Sequence, residues 1–330
     1  MNNPDLKKLL KTYEQKRLSK EKECDERITK LYNDNPNLSD IVDKINEKSI
    51  ELSKCILFKK DSQISILEKE INNLKIQKQE LLKKLNIKPD FFTPSYECKK
   101  CNDTGFLVDS NGVMCTCLKQ KLMDIQYNKS NISNLENENF DKFNELVFSD
   151  ITDEKKYNSN ISPRENINNI KNIALNFIDN FDNPNEKNLL FTGNTGLGKT
   201  FMSNCIANEM LKRNKTVLYQ TAPIMLDSII DYKLGKSSNF NVLKNLLSVD
   251  LLVIDDLGTE SLNNMKFSEL FTLINTRLLN QNNKATKTII STNLSLANLA
   301  STYGERIISR LIGSYNICYF FGDDIRIKKR

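Results

Sequence analysis

Histidine is absent from this chain of 330 residues, which excludes every zinc site that mixes imidazole with thiolate and leaves cysteine alone to hold such an ion. Glycine is absent before Gly105, so the first part of the chain lacks the residue that most often supplies turns and helix stops. No apolar run approaches the roughly 18 residues that a membrane-spanning helix needs. The opening Met1-Asn-Asn-Pro-Asp lacks the apolar stretch of a signal peptide, and the expectation is a cytoplasmic protein with no membrane contact. Neither sign of charge dominates: 48 Lys+Arg against 42 Asp+Glu give a formal +6, which permits nucleic-acid contact without arguing for it. What is present is 39% apolar residues, enough for one α/β domain of about 200 residues with a smaller appendage. No internal repeat is visible.

The most informative run is Gly193-Asn194-Thr195-Gly196-Leu197-Gly198-Lys199-Thr200-Phe201, set between an apolar stretch at 188–191 and a helical pattern at 201–213. This is the spacing of a phosphate-binding loop. Its glycines let successive backbone N–H groups turn toward one anion, Lys199 reaches the β- and γ-phosphates, and the Thr200 hydroxyl ligates Mg²⁺. The expected ligand is ATP or GTP. Further strands are expected at 216–219, 250–254, 287–291 and 316–321, the last apolar on both faces. The strand at 250–254 ends in Asp255-Asp256, of which Asp255 would hold the Mg²⁺ shell and Asp256 would orient and polarise an attacking water. The strand at 287–291 delivers Asn293 to the same sheet edge, as a contact to the γ-phosphate or water, or simply as a turn residue.

Four of the eight cysteines are scattered, at 24, 55, 205 and 318, and read as small semi-buried side chains. The other four form Cys98-Lys-Lys-Cys101 and Cys115-Thr-Cys117, separated by the turn-prone Asn102-Asp103-Thr104-Gly105, an apolar Phe106-Leu-Val and a second turn at 109–112. Two knuckles joined by a hairpin let four thiolates converge on one structural Zn²⁺; a redox pair or an iron–sulfur cluster uses the same residues.

Residues 1–90 form a helical, coiled-coil segment. Apolar side chains recur at helical spacing over 6–31 and again over 41–85, with the break at 33–37 and Ser39 as candidate cap of the second helix. Ile64, Leu67, Ile71, Leu74, Lys78, Leu81 and Leu85 occupy heptad a and d positions, with one polar interruption at Lys78. The stripe is buried either in a helical hairpin of the same chain or against a partner. Pro89 and Pro94 end this segment, and 118–140 reads as a helix followed by a linker.

The phosphate loop, Asp255-Asp256-Leu-Gly258-Thr-Glu260, Ser291-Thr-Asn293 and Gly304-Glu-Arg306-Ile-Ile-Ser-Arg310-Leu together resemble the AAA+ ATPases of the DnaC/DnaI branch, the bacterial replicative helicase loaders. The knuckle ahead of this region resembles the DnaI-like form. The resemblance implies an α/β fold, an AAA+ P-loop core with a five-stranded parallel sheet and no C-terminal helical lid. It divides the chain into a helical module at 1–90 that meets the helicase, a four-cysteine zinc module with a linker helix at 91–130, and an AAA+ ATPase domain at 131–330. It implies Lys199 and Thr200 as Walker A, Asp255 and Asp256 as Walker B, Asn293 as sensor 1, Arg310 as an arginine finger acting on a neighbour, and Arg326 as sensor 2. Such a finger requires self-association through the AAA+ domains. The second acid is Asp where Glu is common, which implies a slow, switch-like ATPase.

Between the second and third strands, Met225, Leu226, Ile229 and Ile230 share one helical face, followed by Tyr232, Lys233, Lys236 and Lys244. In related proteins this region touches single-stranded DNA; here lysines would follow phosphates and Tyr232 would stack on a base, or the segment is an ordinary solvated helix. The function expected is ATP-dependent loading of a hexameric replicative DNA helicase onto single-stranded DNA. The rivals are a transposition helper ATPase of IstB type and a nucleotide-gated adaptor with little hydrolysis.

Overall fold

Helices account for most of the described part of the first 90 residues, because no glycine and, between Pro4 and Pro89, only Pro36 interrupts their backbone hydrogen bonding. The computed structural model describes residues 4–58, 61–108, 112–126, 137–236, 242–261, 263–281 and 285–327. Its contacts divide the chain into two compact units, 1–115 and 116–330.

In the first unit, α1 spans Pro4–Asp34, α2 Pro36–Leu57 and α3 Asp61–Lys84. The expected single helix over 41–85 is therefore two. The chain turns at Phe58, and α3 runs back along α2, with Lys48 paired to Glu70 at 3.0 Å and the Cys55 thiol 3.4 Å from Gln63. Folding back supplies the partner that the apolar stripe of an isolated long helix would lack: Leu67 and Ile71 are buried on the hairpin. Lys78, the polar interruption, lays its ammonium over the Phe92 ring at 5.6 Å. Ser39 is not the cap of α2. Pro36 begins that helix three residues earlier, its fixed φ and missing N–H suiting the first turn, and no side chain caps it. The Asn35 amide instead donates to Leu31 O at 2.9 Å, closing α1.

The chain leaves α3 through Asn86, at φ 55°, and a 3-10 turn at Pro89–Phe92. Arg27 of α1 gathers this segment, donating to Phe91 O at 2.7 and 3.1 Å and to Thr93 O at 3.2 Å. Tyr96 donates to Glu21 at 3.2 Å, and Lys16 pairs with Glu97. The expected hairpin between the knuckles is present as an antiparallel bridge from Phe106 to Met114; its tip at 109–111 lies outside the described residues.

The second unit opens with α4 (Thr116–Gln126); the linker expected after it lies at 127–136, outside the described residues. Then follow α5 (Glu154–Tyr157), α6 (Pro163–Asp179), β1 (Asn188–Thr192), α7 (Lys199–Lys212), β2 (Val217–Thr221), α8 (Ala222–Lys233), α9 (Val242–Ser248), β3 (Leu251–Leu257), α10 (Asn264–Asn280), β4 (Lys287–Thr292), α11 (Leu296–Ser314) and β5 (Tyr315–Tyr319). The five strands form one parallel sheet in the order β2-β3-β4-β1-β5. Alternate strand residues feed two cores. Leu190, Leu218, Leu252 and Ile290 meet α8, α9, α10 and α11 on one face, whereas Leu189, Phe191, Val253 and Ile289 meet α6 and α7 on the other.

Two strands differ from expectation. β3 does not stop before its acids but runs through them to Leu257, because a bulge between Ile254 and Leu257 absorbs one extra residue, with Asp256 at φ 54°. β5 is a sheet edge and not a strand buried on both faces, since Tyr319 keeps 53% of its surface exposed. At the opposite edge the Gln120 side chain pairs with β2 as a strand would, accepting from Val217 N–H at 2.7 Å and donating to Val217 O at 2.9 Å. After β5, residues 320–327 carry no helix.

Candidate nucleotide site and cysteine cluster

β1 ends in the loop 193–198, and α7 begins at Lys199, so the loop and a helix N-terminus face the same space. Lys199 is 6% exposed, and its amine donates to Gly193 O at 2.6 Å, Asn194 O at 2.7 Å and Asn293 Oδ1 at 2.7 Å. Burial lowers its pKa to about 8; the carboxylates of Asp256 and Asp255 oppose this and Arg326 adds to it. The segment after β5 crosses the loop: Ile325 N–H donates to Gly196 O at 3.0 Å, and a Cβ on Gly196 would stand 2.0 Å from the Asp324 carboxylate. Only glycine admits that approach. Arg326 pairs with Asp324 at 3.1 Å.

Asp255 is buried and held from three sides. Tyr219 donates to Oδ2 at 2.7 Å, Thr200 to the same oxygen at 3.2 Å, and Ser291 to Oδ1. A hydroxyl and a carboxylate oxygen this close form the hard-oxygen donor set that Mg²⁺ takes, two ligands on neighbouring corners of its octahedron being about 2.9 Å apart. Burial and then the Asp255 charge raise the Asp256 carboxyl above its ordinary value, with Lys199 opposing, which makes it a stronger base than a free aspartate. Tyr219 and Ser291 carry no sequence signal beyond strand composition. Only the side-chain alternation of neighbouring strands, which brings both to the face of Asp255, marks them.

Beside the loop lies an apolar cavity of about 90 Å³ lined by Phe143, Val147, Phe148, Gly198, Phe201 and Ile325. The Lys171 ammonium stands 4.5 Å from the Phe143 ring. Leu197 is buried in the core, whereas Phe201 faces the cavity.

The remaining residues singled out in the sequence stand elsewhere. Arg310 is engaged on α10, its Nε donating to Asn275 at 2.8 Å and its guanidinium 4.7 Å from the Phe271 ring. Tyr232 is half-buried, Lys233 pairs with Glu269 at 2.6 Å, and Lys236 and Lys244 are exposed. Met225, Leu226 and Ile229 of the same region are fully buried, while Ile230 is only partly so.

The ligand sulfurs of Cys98, Cys101, Cys115 and Cys117 lie within 4.8 Å of one another, with Cys98 and Cys115 at 3.8 Å. A tetrahedron of thiolates about 2.3 Å from Zn²⁺ has edges of about 3.8 Å, so the spacing fits one tetrahedral ion. A multi-iron cluster, with irons and sulfides between its thiolates, needs them farther apart. The loop is shaped by Asp103, whose carboxylate accepts the N–H groups of Glu97 and Cys98, both at 2.9 Å. Asp103 is buried at φ 55°, and in the sequence it is indistinguishable from an ordinary turn residue.

Comparison with known proteins bears on this site. The replicative helicase loader DnaC of Escherichia coli (strain K12) is 29% identical over 139 residues, covering 42% of this chain and 55% of that protein. The chain thus spans about half the length of the curated relatives it matches. A crystal structure described as the DnaC helicase loader aligns with a TM-score of 0.45 and 24% identity, over 57% of this chain and 99% of that one. Another, described as DnaI, gives 0.42 and 22% over 59% and 100%. Among the described residues no helix is long and apolar enough to cross a membrane. The family model of the IstB-like ATP binding protein matches residues 144–330, more than half of the chain, and the chain belongs to that family.

Proposed function

We propose that this protein is an ATPase that loads a hexameric replicative DNA helicase onto single-stranded DNA. The observation that carries the nucleotide chemistry is the buried Lys199 amine, held by two loop carbonyls and Asn293 beside the Thr200–Asp255 pair. A bound triphosphate replaces those acceptors, and the apolar cavity at Phe201 receives the base. Mg²⁺, held at Thr200 and Asp255, would neutralise charge on the β- and γ-phosphates. Asp256 accepts the proton of a water as its oxygen bonds the γ-phosphorus and the bond to the ADP oxygen breaks, giving ADP and phosphate. Asn293 orients that water, Arg326 contacts the nucleotide from the C-terminal segment, and Arg310 of an adjacent copy stabilises the transferring group.

The loader role is supported by the likeness to DnaC and by the presence of a separate helical unit ahead of the ATPase region. The helices at 1–90 serve the helicase, the module at 91–130 offers Cys98, Cys101, Cys115 and Cys117, which would hold a structural Zn²⁺, and 131–330 is the ATPase. Tyr232, Lys236 and Lys244 are the residues assigned to single-stranded DNA, with Lys233 recruited only on leaving Glu269. Native mass spectrometry of the protein mixed with its host's replicative helicase, with and without ATP, tests this. A complex of defined stoichiometry is expected. No complex under either condition, with both proteins folded, would defeat the loader reading. The family match favours a second reading, a helper ATPase for a transposase. Stimulation of a transposase encoded beside this gene would support it.

A further inference from the structure

The backbone that follows Asp256 is tied to the helix that carries Arg306 and Arg310, by residues that the nucleotide chemistry does not use. Asp256 opens a tight turn closed by Thr259, whose N–H and hydroxyl donate to Asp256 O at 3.2 and 2.9 Å. Within it, Gly258 N–H donates to Glu260 Oε2 at 2.9 Å, and the other carboxylate oxygen accepts the Tyr303 hydroxyl. Glu260 and Tyr303 are both buried, so this carboxylate sits where an unbonded oxygen is costly. Burial, and then the Glu260 bond, push the Tyr303 phenol far up, so it remains a donor throughout the physiological range.

Tyr303 is the residue before Gly304, which breaks α11 at φ 76°, ψ 160°, a conformation open almost only to glycine. A Cβ at Gly304 would have only Phe267, at 4.0 Å, as a neighbour, so the kink and not crowding demands glycine. Beyond the kink stand Arg306, exposed, and Arg310, docked on Asn275 and Phe271. The Glu260 carboxylate thus bridges the turn that begins at the second acid and the pivot of the arginine-bearing helix.

We propose that Glu260 is a positioning residue for ATP turnover: through Tyr303 it couples the backbone at Asp256 to the pivot at Gly304, and so sets where Arg310 is held for the neighbouring copy. This rests on the reading of Arg310 as a group acting in trans. It assigns Glu260 and Tyr303 no contact with nucleotide.

The test is a double-mutant cycle in the full chain, with steady-state ATP turnover measured where activity per subunit has reached its plateau and nucleotide affinity measured separately. Tyr303→Phe is expected to lower kcat about tenfold while KM and nucleotide affinity stay within about twofold, and to cost nothing further when combined with Arg310→Ala. An equal fold-loss in both backgrounds would mean a merely structural contact and overturn the proposal. So would undiminished kcat in both Tyr303→Phe and Glu260→Gln while Arg310→Ala is defective, a result that leaves the arginine reading standing. Wild-type turnover in Arg310→Ala, or no turnover in the wild type, would overturn that reading and the coupling with it. Circular dichroism confirms folding of each variant; if Tyr303→Phe does not fold, Glu260→Gln carries the same cycle.

Discussion

The helical first unit and the sheet-based second unit hold themselves together by different means. In the second, β1 to β4 are buried on both faces, and the largest buried polar side chain is bonded throughout: Arg277 donates to Thr288 at 2.9 Å and to Leu246 O and Lys287 O at 2.7 Å. In the first, few side chains are fully covered, and Ile50, Ile56, Leu57, Phe58 and Ile66 remain exposed on the hairpin of α2 and α3. Its order rests on Arg27, on ion pairs and on the Asp103 loop. A large apolar core makes the second unit self-sufficient, whereas the first unit depends on a few specific contacts.

The largest effect is expected from removing a metal held at the four cysteines. Chelation, or Cys101→Ser, is expected to abolish hydrogen-exchange protection at the Glu97 and Cys98 amides, since metal–thiolate binding contributes on the order of 10 kcal/mol to such folds. ATP affinity should be unaffected; a parallel loss would tie the two regions together. The converse change is Lys199→Ala, expected to weaken ATP binding at least about a hundredfold by calorimetry, because a buried cation facing phosphate is lost, with the far-ultraviolet spectrum unchanged.

Titration sharpens the same contrast. Burial lowers the Lys199 pKa to about 8, so the amine is charged below that pH and neutral above it. ATP affinity should be flat on the acid side of pH 8 and fall toward about tenfold per pH unit above it. The stability of the free protein should move the other way, because an unfolded lysine keeps its proton up to 10.5 and stability therefore rises between pH 8 and 10.5. Lys199→Arg should remove both trends. Smaller again, Tyr219→Phe is expected to raise the Mg²⁺ concentration for half-maximal turnover about fivefold, because one of three hydroxyls orienting Asp255 is lost. The smallest effect belongs to the first unit: Lys48→Ala, which removes the exposed pair with Glu70, should change stability by less than about 0.5 kcal/mol in urea unfolding.

How much was legible in advance follows the same division. The phosphate loop, the acidic pair and the cysteine knuckles are fixed by spacing along the chain, and spacing is what a sequence displays. The five parallel strands were likewise readable, because apolar runs between helical patterns leave few alternatives. The turn at Phe58 was not, since helix-forming residues run through it and only the pairing of α2 with α3 decides where the chain reverses. Nor was the bulge at Asp256, which depends on register with β4. Tyr219, Ser291, Asp103 and Glu260 act through partners distant in the chain or in an unforeseen loop shape, and each reads in isolation as strand or turn composition.

The strand order carries a consequence for how the protein is made. β1, which launches the phosphate loop, pairs with β4 and β5, the last two strands to be synthesised, while β2 and β3 that follow it in sequence lie across the sheet. During translation the first unit has all its partners long before the ribosome reaches β5. The nucleotide site must wait for nearly the whole chain, since its loop hangs from an unpaired strand until then. A chain stopped short of Tyr315 would still own its helices and cysteine knuckle but no completed cradle for phosphate. Premature termination should therefore yield a species with a folded first unit and no site for ATP.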